Sequence, residues 1–284
     1  MTGRSSSWQT AAKRRSRSLA RGAAGVLHDP PNWRCELELA RLQGLAAFEP
    51  GVTRLLGTEV AYTHPQSIVV QYRTIFQQEC YRFRCERVDP VIFDCGANIG
   101  LATLFWLRQY PMATVVAFEP DARIFEMFSE NIAGAGVAGR VQAEQSAVWV
   151  EDGTMSFHSQ GAGGGHLGSG ESIVATVRLA RVLDEQLGRS GSRIDLLKMD
   201  IEGAEVDVLV DCAPQLTSVE RLFVEYHSIA GKPQRFAELV DVVQGSGFRL
   251  SVQTEMVSKL PFVEIEDHDG MDMQLNIWAT RDPS

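Results

Sequence analysis

The chain has 284 residues, with 27 Lys+Arg against 36 Asp+Glu and a formal net charge of −9. At about 100–200 residues per domain, that length fits one large domain with an appendage better than two full domains. The 44% of hydrophobic and 22% of charged residues exclude a wholly disordered chain.

The N-terminal residues are basic: Arg4, Lys13, Arg14, Arg15, Arg17 and Arg21 all precede the first acid, Asp29. Without those six, 21 basic residues face 36 acidic ones, leaving a body at −15. Such a body repels polyphosphate, which argues against a nucleic-acid partner. Residues 1–31 read as a frayed basic arm; the sharper alternative is a basic helix that docks on an acidic surface, such as that of a second subunit in a homodimer. Arg14-Arg15 is followed by Arg21, Asp29 and two prolines and not by an apolar stretch, so an export signal is not expected. No run approaches the ~18–20 apolar residues of a membrane span, so no membrane partner is expected. The leucines at 37, 39, 42, 45, 55 and 56 have helical spacing, broken at Pro50-Gly51. They predict a helical cap and a division into an arm-plus-cap, 1–59, and a main domain, 60–284.

Residues 67–72 and 81–85 are strand-like. From Val91 onward, short apolar β-type runs alternate with helical stretches. Strands are expected at 91–95, 114–118, 141–143, 196–199 and 222–226, and helices at 101–108, 121–132, 206–209 and 236–243. Runs at 247–252 and 275–280 have no helix between them and predict an antiparallel hairpin at the sheet edge. The expected class is α/β: a doubly wound, mostly parallel sheet with an antiparallel edge strand, preceded by a helical and strand extension. Residues 161–170 hold six glycines without the Lys-Ser/Thr of a phosphate loop. They read as a flexible connection, or as a mobile flap carrying His166. The five cysteines, at 35, 80, 85, 95 and 212, form no CxxC pair, and a reduced, cytoplasmic protein is expected.

Four motifs carry chemistry. In Val91-Ile-Phe-Asp-Cys-Gly-Ala-Asn-Ile-Gly100 a buried strand ends at Asp94, and Gly96 and Gly100 bracket a turn into a helix. Amides there and the helix N-terminus suit a ligand at the carboxyl end of a parallel sheet. The leading Asp94 would repel a pyrophosphate and suits an amine, which turns the choice from NAD to S-adenosylmethionine. The next strand ends in Phe118-Glu119-Pro120. Glu119, 25 residues after Asp94, stands where a doubly wound fold places an acid on the ribose hydroxyls. Ser146-Ala147 follows the third strand, where an adenine edge can be read. In Leu196-Leu-Lys-Met-Asp-Ile-Glu-Gly-Ala-Glu205 a strand delivers Asp200 and Glu202 to its carboxyl end. Last, Glu225 and His227, two apart in one strand, point to the same side as candidates for removing a proton.

Together, Asp94-x-Gly96-x-Asn98-x-Gly100, Phe118-Glu119-Pro120, Asn131, Met199-Asp200-Ile-Glu202-Gly203-Ala-Glu205 and Val224-Glu-Tyr-His227 resemble the FkbM-type methyltransferase family over about residues 67–255. The Asp-Ile-Glu-Gly-Ala-Glu string is the specific part. The resemblance implies a seven-stranded class I sheet in the order 3-2-1-4-5-7-6 and S-adenosylmethionine as methyl donor. Asp94 and the turn Gly96, Ala97, Asn98 and Gly100 would hold its methionine part, and Glu119-Pro120 the ribose. Ser146 and Ala147 would take the adenine, with Asp200 also on the cofactor. His227 or Glu225 would be the base, and Glu202 would orient the acceptor. A divalent ion such as magnesium on Asp200 and Glu225 is not favoured, since no further Asp or Asn stands beside Glu225, and no metal ligand is assigned. The expected reaction is O-methylation of a small hydroxylated secondary metabolite or sugar, as in natural-product biosynthesis. The alternatives are N- or C-methylation of an aromatic or amine scaffold, and a catalytically silent adenosyl-binding scaffold.

Overall fold

A computed structural model describes residues 33–158, 166–167, 172–190 and 193–281. The basic arm expected over 1–31 lies outside them. The chain divides into two compact units, Met1–Arg41 and Leu42–Ser284. Helix α1 (Trp33–Gln43) accounts for the described residues of the first.

The second unit opens with an antiparallel hairpin, β1 (Gly51–Thr53) and β2 (Val60–Tyr62). Its strands lie on either side of the division expected at residue 60, and both belong to the unit Leu42–Ser284. Helix α4 (Ala122–Gly134) fastens the hairpin through one buried side chain. Asn131 Oδ1 accepts from Ala61 N at 2.7 Å, and Nδ2 donates to the carbonyls of Ala61 and Ile99 at 3.1 and 2.9 Å.

Residues 67–72, strand-like in sequence, are helical: α2 spans Pro65–Tyr72. Pro65 takes the first turn, where its missing N–H costs nothing, and His64 caps the helix by accepting from Ser67 N at 3.2 Å. These end signals outweigh the β preference of Ile68-Val69-Val70. The helix continues into a π-helical turn, Arg73–Gln77. Residues 81–85 form no strand either. Side chains satisfy their backbone instead: Trp106 Nε1 donates to the Tyr81 carbonyl at 3.1 Å, and Tyr110 bonds both N–H and C=O of Phe83.

The main sheet holds β3 (Val91–Cys95), β4 (Thr114–Phe118), β5 (Val141–Glu144), β10 (Leu196–Met199), β11 (Arg221–Ile229), β12 (Arg249–Val257) and β13 (Met271–Thr280). Their order is β5-β4-β3-β10-β11-β13-β12. These whole-chain numbers differ from the expected 3-2-1-4-5-7-6 because β1, β2 and four further strands lie outside the sheet; within it β3 is the first strand and β12 the sixth. The sheet is mostly parallel. Strand β13 is antiparallel to both β11 and β12, so β12 and β13 form the expected antiparallel pair at the sheet edge, with the reversed strand itself one in from the edge. The four further strands, β6 (Ala147–Trp149), β7 (Gly153–His158), β8 (His166–Leu167) and β9 (Ser172–Arg178), form a second sheet that was not foreseen. Of the glycine-rich segment read as a connection or a flap, the pair at 166–167 joins β7; the rest lies outside the described residues.

Strand alternation sorts the sheet's residues by chemistry. One phase, including Phe93, Leu197, Val224 and Ile277, packs into the hydrophobic core. Helices α5 (Leu179–Ser190), α6 (Glu205–Asp211) and α8 (Phe236–Gly245) supply Leu183, Val208 and Leu239 to the same core. The short α7 (Ala213–Leu216) joins α6 to β11. The opposite phase carries Asp94, Lys198, Glu225, His227 and Asn276. Helix α3 (Leu101–Gln109), buried from Leu101 through Leu107, packs its aromatic rings against Phe76 and Tyr81. A helix covered all round reads as uniformly apolar.

Candidate active site

At the carboxyl ends of β3, β10 and β11 the polar face opens into a cavity of about 250 Å³. Lys198, Asp200, Glu202, Glu225 and His227 line it from the strand ends. Glu255 of β12 and Gln274 and Asn276 of β13 add a further polar wall, and α2 with its π-turn adds Gln71, Thr74 and Ile75. π-turns recur at functional sites because the extra residue re-aims side chains.

The turn after β3 supplies Gly96, Ala97 and Asn98. Gly96 has φ +80°, and a Cβ there would lie 1.9 Å from the Asp200 carbonyl oxygen, so glycine is needed to pass the end of β10. Asn98 and Glu202, both on the cavity, hold left-handed backbone at φ 48° and 56°. Such strain persists only where the surroundings enforce it. Every amide of the turn is engaged. Gly96 N and Ala97 N donate to the Phe118 carbonyl, and Gly100 N to that of Ala97. Asn98 N donates to Glu119 Oε2 at 2.9 Å, and Ile99 N to Asn98 Oδ1. A phosphate-binding turn presents free N–H groups; residues 96 to 100 have none.

Asp94, expected on the methionine part, is fully buried and is not part of the cavity lining. Its Oδ2 accepts from Thr103 Oγ1 at 2.7 Å, and Oδ1 lies 3.5 Å from Lys198 Nζ. Burial pushes its carboxyl above the usual range, against the pull of Lys198 and Thr103. Lys198 is its cross-strand neighbour in the register of β10 on β3. The lysine Nζ also donates to the Gly96 carbonyl at 2.6 Å and stands 3.3 Å from Asp200 Oδ2. Burial alone would lower the ammonium, but Asp200 and Asp94 hold it above its ordinary value.

Around His227 the acids converge. Nδ1 lies 2.9 Å from Glu205 Oε1, while Nε2 faces Glu202 Oε2 at 3.5 Å and Glu225 Oε1 at 3.9 Å. Glu205, in the first turn of α6, also accepts from the amides of Ile201 and Gly203. Burial would lower the imidazole, but Glu205, with Glu202 and Asp200, more than reverses it, and the ring is pushed up to about 10. His227 is therefore an imidazolium at neutral pH. Burial raises Glu202 and Glu225 to about 8 each; repulsion from Asp200 adds to this, and His227 opposes it. Asp200, Glu202 and His227 offer ligand atoms within 4.8 Å of one another, a spacing that can hold a cation. This differs from the Asp200–Glu225 pair considered from sequence. Here the Lys198 ammonium and the Glu205-bound imidazolium already supply positive charge.

Gly96, Ala97, Asn98, Asp200, Glu202, Glu225 and His227 thus meet in one cavity. Gly100, Glu119, Pro120, Ser146 and Ala147 are outside its lining. Gly100 caps α3, and Pro120 links β4 to α4. Burial pushes Glu119 up to about 7 against the amides of Asp121 and Asn98. Ser146 is buried with an Oγ that has no partner among the described residues, and Ala147 starts β6. Sequence reasoning missed Lys198, Glu205, Glu255, Gln274 and Asn276. A lysine inside an apolar strand was a visible signal for the first; the β12–β13 residues carried none.

The profile described as the methyltransferase FkbM domain matches residues 94–250, more than half of the chain. This protein belongs to the FkbM methyltransferase family. The match begins at Asp94 and ends before Glu255, so the β13 wall of this FkbM methyltransferase lies beyond it. Methyltransferase 1 of Beauveria bassiana is 30% identical over 206 residues, covering 64% of this chain and 81% of that protein. The 31-O-demethyl-FK506 methyltransferase FkbM of Streptomyces tacrolimicus is 29% identical over 238 residues, covering 70% and 88%. The 2-O-methyltransferase NoeI of Sinorhizobium fredii is 28% identical over 160 residues, covering 50% and 65%.

Proposed function

We propose that this FkbM methyltransferase takes its methyl group from S-adenosylmethionine and transfers it to a hydroxyl of a small, polar acceptor. The observation that carries the donor is the turn at 96–100, which has no free amide for a phosphate and stands beside a cluster of carboxylates. That fits a phosphate-free cationic ligand and not a dinucleotide. The buried Ser146 Oγ without a partner fits an adenine edge beyond β5, and Glu119 keeps lone pairs for ribose hydroxyls after accepting two amides. Bound there, S-adenosylmethionine would supply an electrophilic methyl group.

The acceptor side has carboxylates and amides: Glu202, Glu225, Glu255, Gln274 and Asn276. Such a wall satisfies hydroxyl donors better than an aromatic face. Two relatives whose names state a position act on oxygen, the 31-O and the 2-O methyltransferases. Within this wall Glu225 is the base. Once ionised it accepts the hydroxyl proton as the oxygen attacks, and its raised value makes it a stronger base than an ordinary carboxylate. His227 is already protonated; it does not act as base but, clamped by Glu205, holds the two glutamates in place. The four carboxylates of the lining also favour a second reading, an amine acceptor.

Titration calorimetry with S-adenosylmethionine and with NAD tests the donor, and transfer of labelled methyl to sugars against amines tests the acceptor. Binding of NAD alone would overturn the donor. Methylation confined to amines would replace the first acceptor reading with the second.

A further inference from the structure

Lys198 takes no part in the reaction as described above, yet it is 3% exposed and lines the cavity beside the glycine turn. A lysine is tolerated at that depth only when its charge is paired and its donors are used. Its Nζ meets Gly96 O at 2.6 Å, Cys95 O at 3.4 Å, Asp200 Oδ2 at 3.3 Å and Asp94 Oδ1 at 3.5 Å. These partners come from the end of β3, the turn after it and the turn after β10. The lysine therefore joins the pieces that shape the donor side, and it places one positive charge between two carboxylates. Of these carboxylates, Asp200 lines the cavity and Asp94 does not.

We propose that Lys198 is a positioning residue that sets the charge met by the sulfur of the methyl donor, with buried Asp94 as its dedicated counter-ion. The inference rests on S-adenosylmethionine being the donor. Its sulfur is positive before transfer and neutral in the product S-adenosylhomocysteine, so the ratio of the two affinities reads the local charge. Removing the ammonium leaves Asp94 and Asp200 uncompensated and favours the sulfonium. Removing the Asp94 charge leaves the ammonium in excess and favours the product. A role confined to packing would weaken both ligands alike.

The test is calorimetric titration of both ligands at pH 8 into wild type, Lys198→Met, Asp94→Asn and the double variant. Lys198→Met should shift the affinity ratio toward S-adenosylmethionine, on the order of tenfold for one unit charge at this range. Asp94→Asn should shift it toward S-adenosylhomocysteine, and the double variant should return to the wild-type ratio. Ratios unchanged within about twofold in both single variants would overturn the proposal. If Lys198→Met does not fold, Asp94→Asn decides alone: a shift toward the product supports the inference, and no shift ends it. A wild type that binds neither ligand would instead remove the donor reading, and this inference with it.

Discussion

Replacing Glu225 by glutamine should make the protein more stable and less active at once. Its carboxyl is pushed from 4.5 to about 8, first by burial and then by Asp200. The folded protein therefore binds this proton more tightly than the unfolded chain does. The resulting stabilisation is complete below about pH 4.5 and is lost as pH rises through about 8. At ~1.4 kcal/mol per unit, the full loss approaches ~5 kcal/mol. Glu225 titrates together with Glu202 and His227, and effects within one such cluster do not add, so the share removed with Glu225 alone is about 2 kcal/mol. Glutamine keeps the shape and carries no charge to expel. Glu225→Gln should thus match wild type near pH 4.5 and exceed it by ~2 kcal/mol at pH 8.5, a rise in Tm of roughly 4–8 °C. Urea unfolding of both proteins across that range measures this, alongside methyl transfer under saturating donor. Equal pH slopes would refute the electrostatic reasoning, and wild-type turnover in the variant would remove Glu225 as base.

Wild-type turnover should rise with pH through about 8 as the glutamate pair ionises; a rise only near 10 would return the base to His227. Glu205→Gln removes the carboxylate that raises His227. That stabilisation is complete below about pH 6.5 and lost through about pH 10, so the variant should lose ~3 kcal/mol at pH 6 and little above pH 10, read by urea unfolding. Asn131→Ala deletes three bonds to backbone and should cost about 2–3 kcal/mol, with faster amide exchange in β1 and β2. Gly96→Ala drives a Cβ into the Asp200 carbonyl. A drop in Tm larger than that of Asn131→Ala is expected, and an unchanged Tm would show that the turn is free to move.

The alternating β and α runs from Val91 were legible because buried parallel strands are nearly continuous apolar segments, as in β3, β4 and β10. The second sheet was not, since β7 and β9 are mostly exposed and not continuously apolar. Residues 67–72 misled because a β-branched triplet weighs against helix until the His64 cap and Pro65 are counted.

The site divides along the same line. Sequence alone placed Asp200, Glu202, Glu225 and His227 at strand ends, because a polar residue closing an apolar run has few other places to be. Their protonation was decided by tertiary structure. Glu205 lies 22 residues from His227 in sequence and 2.9 Å from it in space, and that contact raises the imidazole; the proposal of a carboxylate base rests on it. Likewise the ion pair of Asp94 with Lys198, its neighbour on the adjacent strand, could not be read from spacing along the chain. Spacing along a chain reports which face a side chain takes; its charge depends on burial and on partners that only folding brings near.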